Sequence, residues 1–272
     1  QLFQVGFHSQ KADSEIKDMI ENYHVGGVIY FSRNIENLEQ TAALSNELQK
    51  LALNSSPGLA LFISADQEGG AVTRLKGATH FPGNMALGAT AKPDFAQKAG
   101  KATAKELKKL GINMNLAPVL DVNNNAQNPV IGVRSFGADA GLVARMGKAY
   151  IQGLQSQGVI ATAKHFPGHG DTARDSHLDL PVIKHSLDRL EKVELYPFKK
   201  AIEAGVESIM TAHIYFPTIE PKRGIPATLS NAVLNGLLRQ KMNFEGLIIT
   251  DCMEMKAIVD NFGTVEGAIR TI

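Results

Sequence analysis

The chain has 272 residues, 44% of them hydrophobic and 20% charged, a balance that suits one large or two small globular domains and excludes disorder, collagen-like repeats and coiled coil. Its 28 Lys+Arg against 27 Asp+Glu leave a formal charge of +1 with no basic block. It therefore carries no electrostatic footprint for nucleic acid or an anionic membrane, and the expected partner is a neutral or modestly charged small molecule. The single cysteine, Cys252, excludes an internal disulfide framework and a Cys-rich zinc site and leaves the compartment open. No apolar run approaches the roughly 18 residues of a membrane span. The opening Gln1-Leu2-Phe3 has neither a Met nor a signal segment, so the natural start is expected to be missing.

In chain order, Phe3–Phe7 reads as a first strand, and Ile16, Met19, Ile20 and Tyr23 mark one face of a helix leading through Gly26-Gly27 to a strand at Val28–Phe31. Leu59–Ala65 reads as a third, buried strand. Later helical stretches end at Gly111, Gly158, Gly205 and Gly246, where a left-handed closing residue costs glycine least, and each is followed by a strand-like run: Ile112–Pro118, Val159–Phe166, Val206–His213 and Leu247–Asp251. Seven strands connected through helices imply parallel pairing.

Two architectures compete. A doubly wound sheet usually carries a phosphate-binding glycine loop after its first strand, and none follows any strand here. A TIM-type (β/α)8 barrel places its chemistry at the C-terminal ends of the strands, and these strands end in Asp66, Pro118 with Asp121 just beyond, Lys164-His165, His213 and Asp251. The barrel is the better reading. Three post-strand loops, Gln67–Asp94, Val119–Ala138 and Pro167–Ser186, are long enough to rise over that same face. With no eighth strand visible, residues 1–272 read as most of one barrel domain, cut at both ends from a longer chain.

The densest cluster of functional residue types is K-H-F-P-G-H-G-D-T-A-R-D-S-H-L-D-L-P, Lys164 to Pro181, which holds three of the eight histidines together with Asp171, Asp175 and Asp179. It suits a site. A metal centre built on His165, His169, Asp171 and His177 is a weaker reading, because Pro167-Gly168 prevents His165 and His169 from forming a one-face helical ligand pair. G-L-I-I-T-D-C-M-E-M, Gly246 to Met255, delivers Asp251 to a strand end. There it can attack a substrate or, with Glu254 three residues on, cap a helix. In S-A-D-Q-E-G-G-A-V-T-R, Ser64 to Arg74, Asp66 serves a site or caps a turn. The amides and Arg134 of Asn123–Phe136 suit a polyhydroxylated ligand or an ordinary loop.

D-Q-E-G-G with the downstream Arg, N-P-V-I-G-x-R-S-F, K-H-F-P-G-H-G-D-T-x-x-D-S-H and T-D-x-x-x-M, in this order, resemble family 3 glycoside hydrolases, and the Asp-x-His pair resembles their bacterial β-N-acetylglucosaminidase branch. The resemblance implies retaining, exo-acting removal of terminal β-linked N-acetylglucosamine, typically from peptidoglycan-derived muropeptides, with no cofactor and no metal. Carried onto this sequence, it makes Asp251 the nucleophile, His177 the general acid/base and Asp175 its partner. Asp66, Arg74, Arg134, Lys164 and His165 become the residues that hold the sugar hydroxyls and acetamido group, and His169 and Asp171 shape the loop. Cys252 is read as a small packing residue beneath the site. A histidine that becomes neutral on giving up its proton does not repel an anion, so phosphorolysis to a sugar 1-phosphate is a second reading. A non-catalytic sugar-binding domain is a third. Relatives occur in the bacterial cytoplasm or exported to the envelope, so the compartment stays open.

Overall fold

The computed structural model describes residues 1–173 and 180–272. Among these residues seven strands lie in one sheet in the order β1-β2-β3-β4-β5-β6-β7, every neighbouring pair parallel. They are β1 (Gln4–Gly6), β2 (Gly27–Tyr30), β3 (Phe62–Ala65), β4 (Met114–Asn115), β5 (Ile160–Phe166), β6 (Ser208–Thr211) and β7 (Leu247–Thr250). Six fall inside their expected runs, and β2 begins one residue before its run, at Gly27. The run Ile112–Pro118 yields only a two-residue strand, because Pro118 has no N–H for the ladder. Pairing nevertheless continues irregularly, with Leu120 N donating to the Lys164 carbonyl at 2.7 Å.

The sheet curls. Adjacent strands are about 4.8 Å apart, so β2 and β7 would lie about 24 Å apart in a flat sheet. Yet Ile29 of β2 and Ile249 of β7 both pack against the small cluster of Met114, Leu116 and Met210. The larger core lies on the other face, between sheet and helices.

Helices cover that outer face: α1 (Ser14–Glu21), α2 (Leu38–Asn54), α3 (Asn84–Ala89), α4 (Pro93–Lys109), α5 (Ala140–Gln155), α6 (Leu187–Lys192) and α7 (Leu195–Glu203). A wide π-type helix at Ala232–Lys241 is followed by α8 (Lys256–Phe262) and α9 (Thr264–Arg270). Side-chain caps start several of them, with Asp13 accepting from Ile16 N at 3.1 Å and Asp139 from Leu142 N at 2.7 Å. Ile16 and Ile20 are buried as expected, whereas Tyr23 lies beyond the end of α1 and is exposed. No described helix is long and apolar enough to cross a membrane.

Gly111, Gly158 and Gly205 take the left-handed backbone expected of them, but Gly246 does not. The left-handed residue before β7 is Asn243, φ 56°. Gly246 is needed for space, since a Cβ there would stand 2.5 Å from the Glu207 carbonyl oxygen and 2.6 Å from the Phe244 ring.

Candidate active site at the C-terminal ends of the strands

The loops above the strand ends interlock. Asn84 Nδ2 donates to the Arg134 carbonyl at 2.7 Å, joining the loop after β3 to that after β4. Asn128 Nδ2 donates to the carbonyls of His169 and Gly170 at 2.8 and 3.1 Å, joining the latter to the loop after β5. Gly170 passes so close that a Cβ would lie 1.8 Å from the Val122 carbonyl oxygen. Any side chain there would push these two loops apart.

Beneath them lies a buried ionic network. Lys164 Nζ contacts Asp66 at 2.6 Å and Glu68 at 2.7 Å, and Glu68 takes a two-pronged grip from Arg134 at 2.8 and 3.0 Å. Arg74 stands 3.9 Å from Asp66. Burial pushes Glu68 toward its neutral form, but Lys164 and Arg134 overcome it and lower its pKa to about 2. Burial likewise favours neutral Lys164 and Arg134, and the facing carboxylates hold both more firmly protonated than usual.

A second node is Asp121, fully buried at the foot of the loop after β4. It accepts from His165 Nδ1 at 2.7 Å, His165 N at 3.2 Å and His169 N at 2.6 Å. Burial favours its neutral form, and His165 with these bonds reverses that, holding it below the usual carboxylate range. Because Nδ1 faces a carboxylate, it carries a proton, which directs the ring and leaves Nε2 for a ligand. His169 is buried too, chiefly for which its pKa falls to about 4, and it packs edge-on to the His165 ring.

Lys164 and His165 are consecutive, and in a regular strand they would point to opposite faces. Between Ala163 and Phe166 the β5–β6 register shifts, so Lys164 can reach Asp66 and Glu68 while His165 reaches Asp121.

Asp251 follows β7 directly. Its N–H donates to the Thr211 carbonyl at 3.2 Å, and its Oδ1 accepts from Cys252 N at 2.7 Å. It does not cap a helix, since the residue before α8 is Met255. Burial favours its neutral form, but the charges of His165 and His213, the Cys252 N–H and Lys164 together hold its carboxyl below the usual range. Cys252 is exposed, which corrects its reading as a packing residue beneath the site. Partial desolvation nonetheless raises its thiol pKa, away from the thiolate.

The structure thus gathers Asp66, Arg74, Arg134 and Lys164 into one network and ties His165 to a neighbouring node. Asp175 and His177 lie outside the described residues. Sequence reasoning did not select Glu68 or Asp121 as site residues. A signal existed for each: Glu68 is two residues from Asp66, and Asp121 follows a strand end.

Among the described residues one group has ligand-like spacing, Asp171, His185 and Glu194. It shares only Asp171 with the set weighed from sequence. Asp171 bonds His185, while Arg189 meets both oxygens of Glu194 at 2.9 and 3.0 Å, so these groups satisfy one another without an ion.

The family pattern described as glycosyl hydrolase family 3 N terminal domain matches residues 1–272. Beta-hexosaminidase A of Pseudoalteromonas piscicida is 41% identical over 272 residues, covering 94% of this chain and 46% of that protein. The structure of a family 3 β-N-acetylglucosaminidase from Paenibacillus sp. str. FPU-7 superposes with a TM-score of 0.98 at 51% identity, covering 100% of this chain and 51% of that one. NagZ from Neisseria gonorrhoeae, solved in complex with N-trifluoroacetyl-D-glucosamine, gives 0.88 at 34% identity, covering 99% and 78%. The chain spans about half the length of the first two of these. A match along all 272 residues, with the motif-bearing strand ends brought to one face of a curled parallel sheet, makes the chain a member of the glycosyl hydrolase family 3 N-terminal domain family.

Proposed function

We propose that the protein is a retaining exo-β-N-acetylglucosaminidase acting on muropeptide-type glycans, with its chain forming one domain of (β/α)8-barrel type. The observation that carries this is a carboxylate, Asp251, held ionised at a strand end beside the network of Lys164, Asp66, Glu68 and Arg134. Retaining hydrolysis needs such a group to capture the anomeric carbon and a separate proton donor for the leaving oxygen.

In the first step Asp251 forms a bond to C1 as the C1–O bond to the aglycone breaks, and His177 gives its proton to the departing oxygen. Oδ1 accepts the Cys252 amide, so Oδ2 is the attacking oxygen. In the second step neutral His177 takes a proton from water, whose oxygen attacks C1 and releases Asp251. Asp175 orients the imidazole and stabilises its protonated form. Lys164, Asp66, Arg74 and Arg134 present directional donors and acceptors to the sugar hydroxyls, and His165 offers Nε2. Because Glu68 and Asp66 together balance the charges of Lys164 and Arg134, these buried cations can be held without a bound anion.

The test is a product assay on the natural-length protein with a panel of β-N-acetylglucosaminides, including a muropeptide fragment, with and without phosphate. The expected result is free β-N-acetylglucosamine as first product, seen by proton NMR, at a rate indifferent to phosphate. A sugar 1-phosphate would replace hydrolysis with phosphorolysis. Heat of sugar binding without turnover would make this a binding domain.

His177→Ala is expected to slow substrates with poor leaving groups about 100-fold or more beyond its effect on activated aryl glycosides, because only the former need the proton. Equal slowing across a leaving-group series would remove the acid role.

A further inference from the structure

His213 is buried just beyond the end of β6 and enters the account above only as one of the charges that lower the Asp251 pKa. Its Nε2 stands 2.9 Å from the Cys252 carbonyl oxygen and its Nδ1 stands 2.8 Å from Thr228 Oγ1. A carbonyl only accepts, so Nε2 carries the proton and donates it. Thr228 is itself anchored to β6, its hydroxyl donating to the Ala212 carbonyl at 3.0 Å and receiving from Thr211 at 3.1 Å. The imidazole therefore rests on a strand-anchored hydroxyl and reaches across to the residue after Asp251.

We propose that His213 is a positioning residue for Asp251, holding Cys252 by its carbonyl so that the Cys252 N–H presents a fixed donor to the Asp251 carboxylate. The β6–β7 ladder ends where Asp251 N donates to Thr211 O. One attachment at Asp251 leaves the next residue free to swing about the backbone, and with it the donor that aims Oδ1. The His213 bond supplies a second attachment one residue on. The Cys252 carbonyl also accepts from Met255 N at 3.2 Å, but that bond is internal to the turn. It is the His213 bond that ties the turn to β6. The inference rests on the reading of Asp251 as nucleophile.

The experiment labels the natural-length protein with a 5-fluoro N-acetylglucosaminyl fluoride, which traps a glycosyl-enzyme, and reads both labels per chain and the rate constant of labelling. The fluoride leaves without an acid, so protonation does not enter. In His213→Ala the labels per chain stay near one while the rate constant falls about 10- to 100-fold, the scale of a small misalignment of a reacting group. His213→Gln, whose amide N–H can reach the same carbonyl, recovers most of that loss. Thr228→Val, which keeps the ring, gives a smaller fall of the same sign. Fewer labels per chain at the wild-type rate constant would mean that His213 serves folding alone, and an unchanged rate constant in both His213→Ala and Thr228→Val would equally overturn the inference. Label absent from Asp251 in the wild-type protein would instead retire the nucleophile and this inference with it.

Discussion

Asp251→Asn is expected to lower turnover of an aryl β-N-acetylglucosaminide by on the order of 10⁴-fold or more, the scale seen when a covalent catalyst loses its nucleophile. The replacement matches the side chain in shape, and its carbonyl oxygen can still accept the Cys252 N–H bonded at 2.7 Å in the wild type. What disappears is the charge, and with it the ability to form a stable ester at C1. The fold is expected to survive. Asp251 is only half-buried and no cation grips it within ion-pair distance among the described residues, so a thermal melt should move by only a few degrees. Wild-type-like turnover in this variant would sink the assignment, and a collapsed melt would show that the carboxylate is structural.

The second large effect is on stability. Lys164→Met keeps the length of the stem but strips the cation from between Asp66 and Glu68, which it contacts at 2.6 and 2.7 Å. Removing one partner of a buried ionic group costs about 3–5 kcal/mol, since the remaining charges stay desolvated. Arg134 still grips Glu68, which limits the loss, so urea unfolding at neutral pH is expected to show a cost near the lower end of that range. Acid should sharpen the difference. Glu68 has its pKa lowered from 4.5 to about 2, so its contribution is fully present above pH 4.5 and is lost as the pH falls toward 2. Without Lys164, burial is opposed by Arg134 alone and the Glu68 pKa rises. The acid-unfolding limb of the variant therefore begins at higher pH than that of the wild type. A cost below about 1 kcal/mol would mean that water already solvates this network.

Much of the frame was legible in local pattern. Apolar runs located all seven strands seen among the described residues, the last four of them behind glycines expected to end helices, because a buried parallel strand needs a continuous apolar run and a tight helix-to-strand turn often needs positive φ. The same logic failed at Gly246, where the pressure on the residue comes from Glu207 and Phe244, neighbours that only folding supplies. It also failed at Cys252, since position after an apolar strand does not tell which way the chain turns once the ladder stops. Asp66 and Lys164 stood out at strand ends, which share one face in a parallel sheet, whereas Arg74 and Arg134 lie in loops and were picked out by the resemblance to the family. Asp121 and His213 were noted at strand ends and Glu68 was not, and none was given a role, because nothing in a chain's local pattern tells a side chain that meets a ligand from one that meets another side chain.

From the sequence alone came the parallel α/β architecture, the motif order of a family 3 domain and the strand ends on which its chemistry is carried. The architecture and the strand ends follow from periodicity and residue type, which act over a few residues, and the motif order is read from the resemblance to the family. Only the tertiary structure decided that Lys164 faces Asp66 and Glu68, residues 98 and 96 positions away in the chain, while adjacent His165 turns to Asp121. It also decided that β5 slips register to allow both. The reason is physical. The charge of a buried lysine is tolerable only where distant carboxylates converge on it, and that convergence is set by the curl of the sheet as a whole.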